Sequence, residues 1–192
     1  MIKLYLVFIS IFIGSCVYSQ TQYASSVIDF SSQYDAAASS ANQALGAPNV
    51  SICEDNEAAW ASDFSDNQRE FLVLGYAVPQ QVNSIQIFQN WNPGAIDTVY
   101  LRNAATGVWT TVFSTTAIAN ATCPVTLTIN IAATTYQVDA VRIALNSPAV
   151  ANWNEIDAVG IDYSIVLPVN ILSFTAAILN EDVHLKWSTA TE

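Results

Sequence analysis

Histidine, the commonest proton shuttle, occurs once in the 192 residues, at His184. That position alternates with apolar residues in the run Val183-His184-Leu185-Lys186-Trp187, where packing or exposure is its expected role. A Ser-His-Asp or Cys-His set therefore has no histidine to use in the first 180 residues. Carboxylates crowd one stretch, with Glu54, Asp55, Glu57, Asp63 and Asp66 close together. Paired carboxylates can cleave glycosidic bonds, but on a Ser- and Asn-rich loop such residues ordinarily face water, so the expected role is non-catalytic. Trp91 with Asn92, and Trp153 between Asn152 and Asn154, offer a different chemistry. An aromatic face that stacks on a pyranose ring, flanked by amides that bond its hydroxyls, is the composition of a sugar site. Packing at a structural corner is the competing role for both tryptophans. Trp60, Trp109 and Trp187 are assigned to packing.

The N-terminus bears on where that chemistry takes place. Lys3 precedes an apolar run over residues 4–13, ended by Gly14, Ser15 and the polar residues 19–22. The run is shorter than the roughly 20 apolar residues of a bilayer span and fits a secretory leader. Residues 1–19 are read as a signal peptide cut after Ser19, with Val17 three positions before the cut and Gln20 as the new terminus. Ile13-Gly14-Ser15-Cys16 loosely resembles a lipobox, which would instead leave a lipid anchor on Cys16. Either route delivers the chain outside the cytoplasm. Cys53 and Cys123 then remain as an even pair in an oxidising compartment, read as one disulfide, with two buried thiols as the alternative. Closing so long a loop is worth roughly 3–5 kcal/mol in the chain-entropy picture.

Charge narrows the partners. The chain carries 16 acidic and 5 basic residues, a net charge of −11. A surface this acidic repels phosphate backbones, so nucleic acid is excluded as a partner. A glycan or a cell-surface protein remains, and no transmembrane segment is expected in the mature chain. With 52% hydrophobic residues there is ample material for a core.

Strand patterns supply the scaffold. Val125, Leu127, Ile129 and Ile131 alternate with Thr126, Thr128 and Asn130, the period of a strand with one buried face. Further strands are expected over 71–76, at 82–87, around Val99 and Leu101, over 108–113, and at Val141 to Leu145 and Val159 to Tyr163. Turn residues at 92–94, 103–107 and 146–148 separate them. Such spacing predicts an antiparallel β-sandwich. Residues 31–68 read as long loops with one short helix over 35–45, pinned by Trp60 and Cys53. Beyond Tyr163 the composition changes: residues 169–179 and 183–187 form a hairpin through the turn 180–182, too little for a domain of its own, so the chain is expected to stop inside a second domain.

Several blocks in order carry a resemblance over residues 23–163: Ser39-Ser40-Ala41-Asn42-Gln43-Ala44-Leu45-Gly46-Ala47-Pro48, Ala59-Trp60-Ala61, Asp66-Asn67-Gln68-Arg69-Glu70-Phe71, Asn92-Pro93-Gly94-Ala95 and Trp153-Asn154-Glu155-Ile156-Asp157-Ala158-Val159. The segment resembles a discoidin-like, galactose-binding-like jelly-roll domain, of the type at the head of F-box leucine-rich-repeat proteins and in secreted bacterial proteins. That resemblance implies a secreted binding module for carbohydrate or cell-surface glycan, with a protein-binding adhesion or scaffold role as the alternative. It also implies a structural Ca²⁺ on Glu155, near the start of the last strand. The usual aspartate partner is replaced by Leu45-Gly46-Ala47, leaving Asn49 or Asp55 to substitute; a hydrogen-bonded Glu155, or one paired with Arg69, is the other reading. Residues 167–192, with Leu167-Pro168-Val169-Asn170-Ile171-Leu172-Ser173-Phe174 and Val183-His184-Leu185-Lys186-Trp187, resemble the opening of the immunoglobulin- or fibronectin-like linker of type IX secretion substrates in the Bacteroidetes. This implies delivery to the outer surface of a Gram-negative cell or to the medium.

Overall fold

A computed structural model describes residues 21–164, 171–179 and 182–189. The expected signal peptide, Cys16 and the turn residues 180 and 181 lie outside the described residues.

The alternating patterns form strands in two sheets. In β4 (Ser84–Gln89), Ile85, Ile87 and Gln89 point inward, and in β7 (Val125–Asn130) the threonines face out. These strands join β1 (Gln22–Tyr23) and β9 (Ala158–Asp162) in a four-stranded sheet of order β1-β9-β4-β7. The opposing sheet has five strands in the order β2-β3-β8-β5-β6, formed by β2 (Ser26–Phe30), β3 (Glu70–Gln80), β5 (Ile96–Asn103), β6 (Trp109–Ser114) and β8 (Val138–Leu145). All pairings are antiparallel. Leu72, Leu74, Leu101, Ile143 and Leu145 of one sheet and Ile85, Ile87, Val159 and Ile161 of the other meet in a single core. This is the antiparallel β-sandwich that the strand spacing predicts, in the jelly-roll form that the resemblance implies.

Two expectations change. The helix expected over 35–45 reduces to one 3-10 turn, Ala41–Ala44. Asp35 instead accepts the backbone N–H of Ala38 at 3.1 Å, the local competition by which Asp and Ser divert a backbone from helix. The strand expected over 71–76 runs from Glu70 to Gln80, and β1 and β2, in a stretch without a long apolar alternation, complete the sheets.

Strand order places the connections at two ends. The loops 31–69, 90–95, 115–124 and 146–157 all leave from one end, and 81–83, 104–108 and 131–137 close the other, while 24–25 carries the chain from one sheet to the other between β1 and β2, which run in the same direction. A separate hairpin, β10 (Ile171–Leu179) with β11 (Asp182–Thr189), sets Leu179 opposite Asp182 and leaves His184 exposed. Among the described residues no helix is long and apolar enough to cross a membrane.

Candidate ligand-binding cleft

The four loops of the long-loop end have no ladder of their own and are joined by specific contacts. Trp60 is fully buried, exchanges backbone hydrogen bonds with Ile156 (2.9 and 3.1 Å), and donates its indole N–H to the Ser32 carbonyl at 3.1 Å. The Cys53–Cys123 disulfide ties loop 31–69 to loop 115–124, with 5.2 Å between Cα atoms. Both expected pins are thus present. Glu70, buried at the start of β3, collects donors from Ser31, Ser32 (2.9 Å) and Gln68 (3.0 Å).

A cleft of about 250 Å³ opens among these loops, lined by Tyr34, Ser39, Asp55, Glu57, Ala61 and Trp153. Its floor is knit by backbone bonds between lining residues: Tyr34 N–H to Ala61 O (2.9 Å), Ala61 N–H to Ser39 O (3.1 Å) and Ser39 N–H to Glu57 O (2.8 Å). Trp153 is fixed on three sides. Its indole N–H donates to Ser62 O (3.0 Å), its carbonyl accepts the Asn92 amide (3.0 Å), and its ring meets Tyr34 edge-on at 5.9 Å and 84°. Ser39, Asp66, Asn92 and Asn152 adopt left-handed φ of 50°, 54°, 40° and 71°, and all belong to these loops. Such conformations persist only where surrounding contacts over-determine them; the Asn152 N–H bond to Asp66 Oδ2 (3.0 Å) is one such contact.

The sequence-predicted ligand residues divide. Trp153 lines the cleft. Asn154 does not: it is buried, and its amide accepts the Ser147 hydroxyl (2.7 Å) and donates to Asn92 O (2.9 Å) and Val150 O (3.1 Å), leaving nothing for a ligand. Asn92 spends its amide on Trp153 O. Trp91 is half-buried and does not line the cleft; its backbone is bridged to Glu155, whose N–H donates to the Trp91 carbonyl at 3.1 Å. Tyr34 and Ser39 were not singled out by sequence; an exposed aromatic inside a Ser- and Ala-rich loop is the signal that marks Tyr34.

Beneath the loops lies the expected metal residue. Glu155 is buried and accepts the Asn56 N–H (3.3 and 3.2 Å) and the Asn90 amide. Burial, reinforced by the neighbouring Asp55 carboxylate, pushes its pKa up to about 8. The Asn90 amide also donates to Glu54 O (3.1 Å), while its Oδ1 is buried without a partner. Asn49 is not part of this group: its N–H, with that of Val50, bonds Asp157 (3.1 to 3.2 Å). Arg69 is likewise elsewhere, on Asp97 at 2.6 Å. Among the described residues no three His, Cys, Asp or Glu side chains form a metal-binding group, so a cation here would draw on Glu155, Asp55 and neutral oxygens.

The family model described as Pappalysin-1, SD scarf domain, C-terminal, matches residues 17–164. The chain belongs to this family. No curated protein sequence matches this scarf domain. Solved structures match it at low identity. Chitosan-binding module 1 of a chitosanase/glucanase from Paenibacillus sp. IK-5, as a selenomethionine-labelled mutant, is 16% identical with a TM-score of 0.56, covering 74% of this chain and 99% of the module. Module 2 of that enzyme, in complex with chitotriose, is 18% identical with a TM-score of 0.50, over 67% and 88%. XRCC1 bound to the DNA polymerase β catalytic domain is 16% identical with a TM-score of 0.58, over 76% and 99%. At these identities the likeness establishes the galactose-binding-like jelly roll, a fold that hosts unrelated functions.

Proposed function

We propose that this scarf domain is a non-catalytic carbohydrate-binding module. The observation that carries the reading is the cleft itself: an aromatic pair, Tyr34 and Trp153, beside two carboxylates on a backbone floor that needs no rearrangement. Tryptophan faces stack on sugar rings, and carboxylates accept hydroxyl hydrogens. Two of the similar solved structures are described as chitosan-binding modules, which supports the reading by analogy of fold. A glycan array and polysaccharide pull-down test it. Retention by the wild type that is lost in Trp153→Ala supports sugar binding; a protein retained by no glycan favours adhesion to a protein partner, for which the groove of about 470 Å³ bordered by Phe113, Ile118 and Leu127 is the available surface.

A calcium ion on Glu155 and Asp55 would brace the loop end from below. Rotating the Asn90 amide by half a turn would bring its unpartnered Oδ1 beside Glu155 Oε2 and Glu54 O, an arrangement of oxygens that a hard cation stabilises. A melting curve unchanged by calcium and chelator would remove the ion from the account. The leader over 1–19 and the tail from 167 support export by a type IX-like route to the outer surface of a Gram-negative cell, with a lipid anchor on Cys16 as the other mode of retention. Mass spectrometry of the mature N-terminus separates the two.

A further inference from the structure

The cleft carries more information than its shape. Asp55 and Glu57 line it together with the two aromatic rings, and no lysine or arginine is among the lining residues. The arginines of the sandwich are engaged elsewhere. Arg69 pairs with Asp97, Arg102 chelates Asp139 at 2.8 and 3.0 Å, and Arg142 lies over the Phe71 ring at 4.5 Å. Any ligand that enters therefore meets two carboxylates without a cationic neighbour from the sandwich arginines, on a chain of net charge −11. Aromatic faces also favour a cation.

We infer that the cleft selects sugars bearing a protonated amine, glucosamine-type units, over neutral or acidic sugars. The inference rests on the carbohydrate reading above. Tyr34 and Trp153 bind the ring of any such sugar, while Asp55 and Glu57 distinguish an ammonium from the acetamido group of its N-acetylated counterpart. Acetylation removes the charge and adds bulk at the same atom. It converts a charge-assisted hydrogen bond into a neutral one, a change that corresponds to about tenfold or more in affinity.

Titration calorimetry at pH 5.5, in chelator so that no cation occupies Asp55, compares a glucosamine trimer with its fully N-acetylated counterpart on the full chain. The wild type is expected to bind the amine form at least about tenfold more tightly. Glu57→Gln should bring the two trimers to within about threefold, and Trp153→Ala should abolish binding of both. Asp182→Asn, which removes the same charge from the separate hairpin, should leave the preference intact. Equal affinities for the two trimers, both lost in Trp153→Ala, would overturn the amine selectivity and leave the carbohydrate reading standing. A preference that survives Glu57→Gln, or one that Asp182→Asn reduces as much, would reassign it to bulk charge and also overturn it. Binding of neither trimer, nor of any neutral glycan, would remove the carbohydrate reading itself. Thermal melts of each variant confirm that the compared proteins are folded.

Discussion

The two ends of the sandwich are built on different principles. At the end closed by 81–83, 104–108 and 131–137, short turns join strands whose ladders already satisfy the backbone, and Thr134 and Asp162 are its buried polar residues. At the opposite end, long loops meet without a ladder, and Ser39, Ser62, Glu70, Asn90, Asn154 and Glu155 are buried to supply the missing partners. The disulfide and the left-handed non-glycine residues sit there as well. A turn end needs only the correct turn residues. A loop end that must hold a cleft open requires hydrogen bonds, covalent linkage and backbone strain in one place, and that concentration is what supports the proposal that this end binds ligand.

The disulfide is the strongest test of this asymmetry. Closing a loop across 70 positions corresponds to about 4 kcal/mol in the chain-entropy picture, so Cys53→Ser with Cys123→Ser should lower stability in urea by that order and weaken any ligand binding in parallel. Asn154→Ala comes next. It strips partners from Ser147 Oγ, Asn92 O and Val150 O, and a loss of about 2–3 kcal/mol is expected in the same titration. An effect under about 0.5 kcal/mol would show that the loop end does not depend on its buried amides.

The pH response sharpens the comparison further. The folded pKa of Glu155, about 8, lies above its unfolded value of 4.5, so the folded state holds the proton more firmly. In cation-free buffer its contribution is full below pH 4.5 and is lost as pH rises toward 8. Melting temperatures in chelator should therefore fall across that window, and Glu155→Gln should flatten the slope. At the turn end the expected effect is smallest. Val108 is 60% exposed beside the 104–108 turn, and Val108→Thr should shift stability by no more than about 0.5 kcal/mol.

The sandwich was legible in the sequence because burial on one face writes a period of two: the alternation at Val125 to Ile129 and the inward residues of β8 and β9 are direct records of the core. Turn chemistry was legible too, since Gly94 at φ 114° packs so closely on loop 115–124 that an added Cβ would fall 2.1 Å from Ile118 O. The cleft was legible only in part. Trp153 announces itself by type, but whether an amide faces a ligand or a neighbouring loop depends on contacts between loops distant in sequence, and Asn92 and Asn154 turned inward. Tyr34 and Ser39 join Trp153 through long-range bonds to Ala61 and Glu57 that no local pattern records. Of the residues named with Glu155, Asp55 lies beside it, whereas Asn49 is held by Asp157, a carboxylate two positions further along the same segment.

The most direct test follows amide and indole resonances during titration with a glucosamine trimer. The account predicts that the Trp153 indole N–H and the amides of 34–39, 55–61 and 152–154 shift together, while those of 81–83 and 104–108 stay in place. Shifts confined to β6, β7 and loop 115–124, or no shifts at any concentration, would contradict it.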